Sequence, residues 1–328
     1  MGAAMDRRSF VRIVASLAGM ATATARAQQP RTYRIGYLHP IREDAAYAAF
    51  LKALEKLGYS VSRNVILEAR FAEGKVAGLS ALAAELVAKR VDVIVAVSPT
   101  AIRAARAATR TIPIVMAFSG DDPVESGFAV TLARPGGNTT GLTAVAHDIA
   151  PKWIELLAEF TPDVKLIGVL RSPNRADHDK QIEVMRIAAQ AQGIRLHVAE
   201  VHAAENYADA LAAISNAGSR ALVVLSGPEF THNRHHLIEL VTRHGLPSVY
   251  QFAEFVAIGG LVSYGPDIAA LSARAAVYVD RILRGANPAE LPIEQPSKLL
   301  LVINRKTANA LGVKIPPALL LQADQVIQ

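Results

Sequence analysis

Several short polar clusters in this 328-residue chain carry side chains suited to gripping a small charged molecule. Ser98-Pro99-Thr100 sits between an apolar run and an alanine-rich helical segment, so its two hydroxyls and the first N–H groups of that helix can face a carboxylate. Asp121 and Asp122 supply the opposite charge, for a ligand ammonium. Asn174 and Glu229 occupy comparable positions in the second half, and Phe118, Tyr250 and Tyr264 fall at or near the ends of apolar runs, where flat rings can wall a pocket. Each has a plainer alternative. Ser98 and Thr100 can simply cap their helix, Asp122 can cap the segment after it, the rings can be core packing, and Asn174 and Glu229 can be solvated loop residues.

Covalent and metal chemistry have less to build on. The chain has no cysteine, which removes disulfides, thiolate zinc sites, iron–sulfur clusters and a cysteine nucleophile together. No GxSxG elbow, P-loop or GxGxxG fingerprint occurs. His232, His235 and His236 invite a metal reading, because His232 and His236 would share one helical face, but no carboxylate cluster accompanies them and an exposed helix face is the better reading. No cofactor is expected, and an enzyme is only the runner-up class.

The elements that must position these residues alternate along the chain. Residues 91–97 form a continuous, mostly β-branched run, residues 101–108 have high helix propensity, and residues 112–117 are apolar again. Strand, capped helix and strand within about thirty residues predict a right-handed βαβ unit. Strands at 34–38 and 65–71 and helices at 45–57 and 79–89 precede it. A second cycle follows, with helices at 151–160, 177–192, 207–217 and 235–244 and strands at 166–170, 195–200, 221–225, 248–250 and 260–264. A long helix at 268–283, a strand at 299–303 and a helix at 305–311 close the chain. This pattern specifies an α/β protein of two doubly wound parallel-sheet lobes, with ligand beyond the carboxyl ends of the strands. Three crossings, near 141–146, 263–267 and 291–296, would join the lobes as a three-segment hinge.

Asp6-Arg7-Arg8-Ser9-Phe10 precedes a modest apolar segment, and Ala25-Arg26-Ala27 has the small-x-small form of a cleavage site, which resembles a twin-arginine export signal. The expected division is therefore a signal peptide over 1–27, a first lobe of 28–143 plus about 267–290, and a second lobe of 144–266 plus about 291–328. The net charge of +6 includes four arginines and one aspartate of the leader, leaving +3, too little to argue for nucleic acid. Beyond the N-terminus no run reaches the ~18 apolar residues of a membrane-spanning helix, which excludes a polytopic membrane protein.

Read together, RIGYL at 34–38, DDPVESG at 121–127, LARPGGNTTGL at 132–142 and IPPALLLQAD at 315–324 resemble the ABC-transporter substrate-binding protein family that includes the tryptophan-binding TrpX type. The likeness runs through essentially all of the chain after the leader. It implies a two-lobed periplasmic binding protein of the type I fold; a monomer is expected, and the small charge argues for no nucleic-acid partner. It would hold a small solute, an amino acid or related carboxylate, and deliver it to an ABC transporter permease. A sensory binding protein, or a periplasmic hydrolase or lyase on the same fold, are the alternatives. Asp122-Pro123 corresponds to the family's Gly-Asp-Pro, so the resemblance implies a ligand contact at Asp122. Asp121 stands where relatives commonly have glycine.

Overall fold

Val93–Val97 is buried at every residue, as a strand covered on both faces must be. In the computed structural model, which describes residues 32–42, 44–61, 63–173, 175–296 and 298–328, this strand is the centre of the first lobe. The elements there run Tyr33–His39 (β1), Asp44–Lys56 (α1), Val65–Phe71 (β2), Leu79–Ala88 (α2), Val93–Val97 (β3), Pro99–Ala108 (α3), Ile114–Phe118 (β4) and Thr139–Gly141 (β5). The strands are parallel in the order β2-β1-β3-β4-β5, so the order reverses between β1 and β3, and their carboxyl ends open onto one edge of the lobe. The expected leader over 1–27 and Asn174 lie outside the described residues.

The second lobe begins with Ala146–Phe160 (α4), Leu166–Arg171 (β6), Ala176–Ala191 (α5), Arg195–Glu200 (β7), Tyr207–Asn216 (α6) and Ala221–Val224 (β8). Pro228–His232 (α7), Arg234–Arg243 (α8), Ser248–Tyr250 (β9), Ala253–Ala257 (α9) and Val262–Pro266 (β10) follow. Ile268–Leu283 (α10) then packs on α1 and β4 of the first lobe, burying Leu271, Ala275 and Tyr278 with Phe50 and Tyr37. Asp267 caps it, accepting the Ala270 N–H at 2.9 Å. The chain returns as Leu299–Asn304 (β11), Arg305–Ala310 (α11), Pro317–Gln322 (α12) and Gln325–Ile327 (β12), completing a seven-stranded sheet ordered β12-β11-β10-β9-β8-β6-β7.

Both lobes are thus α/β layers, as the alternation predicts, with two departures. The β10–β11 pair is antiparallel, because the chain re-enters the sheet from the first lobe instead of through a helix of its own lobe. Helix α4 begins at Ala146, five residues before the proline that suggested its start. Pro151 only withholds one N–H from His147, and the Ala146 N–H finds the Gly120 carbonyl at 3.0 Å.

The chain passes between the sheets three times, and two of the passages are stitched together. Leu142 and Glu294 form a parallel bridge, with Thr143 N–H donating to Glu294 O and Glu294 N–H to Gly141 O, each at 2.9 Å. Arg274 of α10 holds the Glu294 carboxylate through two bonds at 2.9 and 2.7 Å. Gly141 is obligatory there. Its φ is +126°, and a Cβ would sit 2.2 Å from the Met116 carbonyl oxygen.

Candidate ligand site between the lobes

The strand ends of the two lobes face each other, and the space between them has an apolar and a polar part. The apolar cavity, about 50 Å³, is lined by His39, Val97, Ser98 and Phe118 from one lobe and Thr231 and Phe252 from the other. Phe118 and Phe252 meet edge to face with centroids 5.7 Å apart, an aromatic contact that ties the lobes together. His39 is buried, and its Nδ1 accepts the Ile41 N–H at 3.1 Å, which puts the ring proton on Nε2. Burial drives this imidazole down to about 3, so it is neutral at ordinary pH.

Ser98 closes the floor of this cavity in a strained conformation. Its φ of 81° and ψ of 154° lie where side chains are rarely tolerated, at a cost on the order of 1–3 kcal/mol. The surroundings hold it there: its N–H donates to Phe118 O at 3.0 Å, its Oγ accepts from Ala101 N–H at 3.5 Å, and its hydroxyl shares a bond with Thr100 Oγ1 at 2.9 Å.

The polar chamber, about 420 Å³, draws Arg103, Asp121, Asp122 and Glu125 from the first lobe, His147 from the start of α4, and Asp177, Lys180 and Gln181 from α5. Asp121 is 8% exposed; Arg103 Nη1 donates to its Oδ2 at 2.7 Å, while Oδ1 is buried without a partner. Asp122 turns its Oδ1 onto the N–H groups of Val124, at 2.7 Å, and Glu125, at 3.2 Å. Lys180 reaches across the gap to both oxygens of Glu125, at 2.7 and 2.8 Å. Gln181, 1% exposed, gives its amide N–H to Asp177 at 3.1 Å and leaves Oε1 unpartnered.

Beside the chamber lies a buried cation. Arg175, 8% exposed, donates to both oxygens of Asp177, at 2.9 and 2.6 Å. Burial opposes its charge, but Asp177, with Asp121 and Glu229 further off, more than offsets this and raises its pKa. Burial would likewise raise the Asp177 carboxyl, yet Arg175 holds it below the usual range. His178 is fully buried, with Nδ1 accepting from Ser172 N–H at 3.2 Å and Nε2 donating to Ser226 O at 2.9 Å, so one ring pins two strand-end loops of the second lobe. Burial and the neighbouring Arg175 lower its pKa.

Two parallel-sheet lobes with polar groups converging between their strand ends are the frame of a binding protein, and residues 37–327 match the model of the family described as ABC transporter substrate binding protein. The chain belongs to this family. A relative in Clostridioides difficile named as a tyrosine-binding protein is 24% identical over 83% of this chain and 77% of its own length. A conserved domain protein from Vibrio cholerae superposes with a TM-score of 0.84 at 28% identity, over 90% of this chain and all of the other. The ABC domain from Streptococcus pneumoniae in complex with L-Trp gives a TM-score of 0.83 at 26% identity, again over 90% and 100%.

In this substrate-binding protein the residues singled out from sequence divide by place. Ser98 and Phe118 line the apolar cavity, Asp121 and Asp122 the polar chamber, and Glu229 has a buried, unpartnered Oε1 in the field of Arg175. Thr100 adjoins through its bond to Ser98. Tyr250 instead stacks on Phe255 at 4.9 Å and bonds Ser248 inside the second lobe, and Tyr264 packs on the core beside Trp153, whose Nε1–H its carbonyl accepts at 2.8 Å. The histidine trio is interrupted at Asn233, which ends α7 and begins α8, and among the described residues no group of acids and histidines is arranged to hold a metal. His39 and Gln251 stand at strand ends, where the sequence places the ligand, whereas Arg175, His178 and Gln181 carry no such signal of their own. The signal for the first two of these was the charged run Arg175-Ala176-Asp177-His178, placed where a strand end feeds a helix.

Proposed function

We propose that this substrate-binding protein captures a free amino acid, or a related small carboxylate, between its lobes and passes it unchanged to the permease of an ABC importer. The observation that carries this reading is the buried Asp121 Oδ1, unpartnered in a chamber lined by both lobes. Leaving such an oxygen unsatisfied costs about 1–3 kcal/mol or more, and a ligand ammonium removes that cost. The N–H groups opening α3 beside Ser98, and the guanidinium of Arg175, are the candidates for the ligand carboxylate. The tyrosine-binding relative and the L-Trp complex support the class of ligand.

Residues 28–143 with about 267–290 form one moving body and 144–266 with about 291–328 the other, turning on the three crossings. Arg7-Arg8 and the cleavage site ending at Ala27 direct export to the periplasm, where the protein works as a monomer. N-terminal sequencing of the exported chain should begin at Gln28; an intact Met1 would contradict the leader assignment.

The test is a calorimetric and thermal-shift screen of the purified protein against the common amino acids. A ligand at about 100 times its dissociation constant should stabilise the fold by roughly 2.7 kcal/mol. Absence of heat and of any shift with all of them would overturn the reading.

A further inference from the structure

Charge in the space between the lobes is unbalanced. Asp121, Asp122, Glu125 and Asp177 line the polar chamber, and Glu229 stands between Pro228 and Thr231, which line the apolar cavity. Among the described residues three cations stand against these five carboxylates, and each is already committed: Arg103 to Asp121 at 2.7 Å, Lys180 to Glu125 at 2.7 Å, and Arg175 to Asp177 at 2.6 Å. Two negative charges remain over.

The unpartnered atoms at the chamber and in α7 have the same sense. Asp121 Oδ1 and Gln181 Oε1, on side chains more than nine-tenths buried, line the chamber, and Glu229 Oε1 is buried in the first turn of α7 of the second lobe. All three are acceptors. A zwitterion with a neutral side chain brings one ammonium, cancelled by its own carboxylate, and leaves the excess charge where it was. An aromatic side chain fares no better, since among the described residues His147 is the only ring lining the chamber and the apolar cavity of about 50 Å³ is far below the ~150 Å³ that holds a benzene.

We propose that the ligand carries a second cationic nitrogen group besides its α-ammonium, that is, a basic amino acid, with Asp121 facing the α-ammonium and Glu229, on the opposite lobe, the specificity determinant for the second cation. The proposal rests on the amino-acid reading above and narrows it. Asp121 Oδ1 receives the α-ammonium and Glu229 the side-chain cation, and Gln181 Oε1 accepts a further N–H.

The experiment titrates the purified protein calorimetrically with L-arginine, L-lysine and L-ornithine, and separately with L-tyrosine, L-tryptophan and L-leucine. At least one basic amino acid should bind tenfold or more tighter than the best neutral one. In Glu229→Gln, checked for folding by circular dichroism, that preference should fall at least fivefold, while Asp121→Asn, which faces the α-ammonium common to all six, should weaken basic and neutral amino acids alike; if Glu229→Gln does not fold, Glu229→Asp and Gln181→Met carry the comparison. Neutral amino acids binding as tightly as basic ones would overturn the inference and leave the amino-acid reading standing. Binding of none of the six, with another amino acid bound in the wider screen, would overturn the inference alone; binding of no amino acid at all overturns both. A preference unchanged in every folded variant would remove the residues assigned to it.

Discussion

Asp121 and Asp122 are neighbours in the chain whose carboxylates meet different fates. Asp122 spends Oδ1 on two backbone N–H groups, so Asp122→Ala should cost about 1 kcal/mol of stability by thermal unfolding, the usual worth of such a cap. Asp121→Asn should instead cost on the order of 2–5 kcal/mol of binding by calorimetry, thirtyfold or more in affinity, because a desolvated ligand ammonium loses its counter-charge. The sequence carries both aspartates, and the capping alternative for Asp122, but not which oxygen points inward. That depends on the local turn and on Arg103, eighteen residues earlier, taking the other oxygen of Asp121. His39 makes a pH prediction at the same scale. Its folded pKa of about 3 lies below the ordinary value near 6.5, so the unfolded chain binds the proton more readily between them. Stability is therefore full above about 6.5 and falls with acidification, by up to about 1.4 kcal/mol per pH unit for this group. Urea unfolding at pH 7.5 and 5.0 should show the loss, and His39→Gln should flatten it; an equal slope in both proteins would contradict the assignment.

Elements set which of these side chains can meet at all. The periodicities of β3 and α10 made the lobes readable, because a strand buried on both faces and a capped, amphipathic helix leave plain patterns. Strand faces were less readable: Tyr250 and Gln251 are adjacent at the end of β9, and alternation sends the tyrosine into the core and a 2%-exposed glutamine elsewhere, a choice of register that a three-residue strand does not advertise. Similarly, α4 runs back past Pro151 to Ala146 because the Gly120 carbonyl receives its first N–H, and this extra turn places His147 on the chamber. At the hinge, Gly141→Ala would meet both a left-handed φ and the Met116 carbonyl, so a loss of at least about 2 kcal/mol is expected in chemical denaturation. A wild-type midpoint in that variant would show that the passage is freer than its backbone indicates.

For the whole molecule, the contacts between lobes look weak enough to break and specific enough to close in one way. The Lys180–Glu125 pair is largely exposed, 41% and 61% at its two ends, and such pairs contribute about 0–1 kcal/mol, so Lys180→Ala should change ligand affinity by no more than about fivefold in calorimetry. Phe118 on Phe252 adds an apolar contact that forms only when the lobes meet. Closure driven by ligand requires that the ligand bind the closed arrangement better than the open one. The absence of native cysteine makes this directly measurable, since a Val130→Cys, Ile187→Cys pair, both positions exposed and on opposite lobes, accepts spin labels without background. Pulsed electron–electron distance measurement on that doubly labelled protein, with and without a ligand already shown to bind, tests whether the lobes close on their ligand. Closure gives a shorter and narrower distance distribution at saturation; identical distributions in the two states, with binding confirmed, would contradict capture by closure of the lobes.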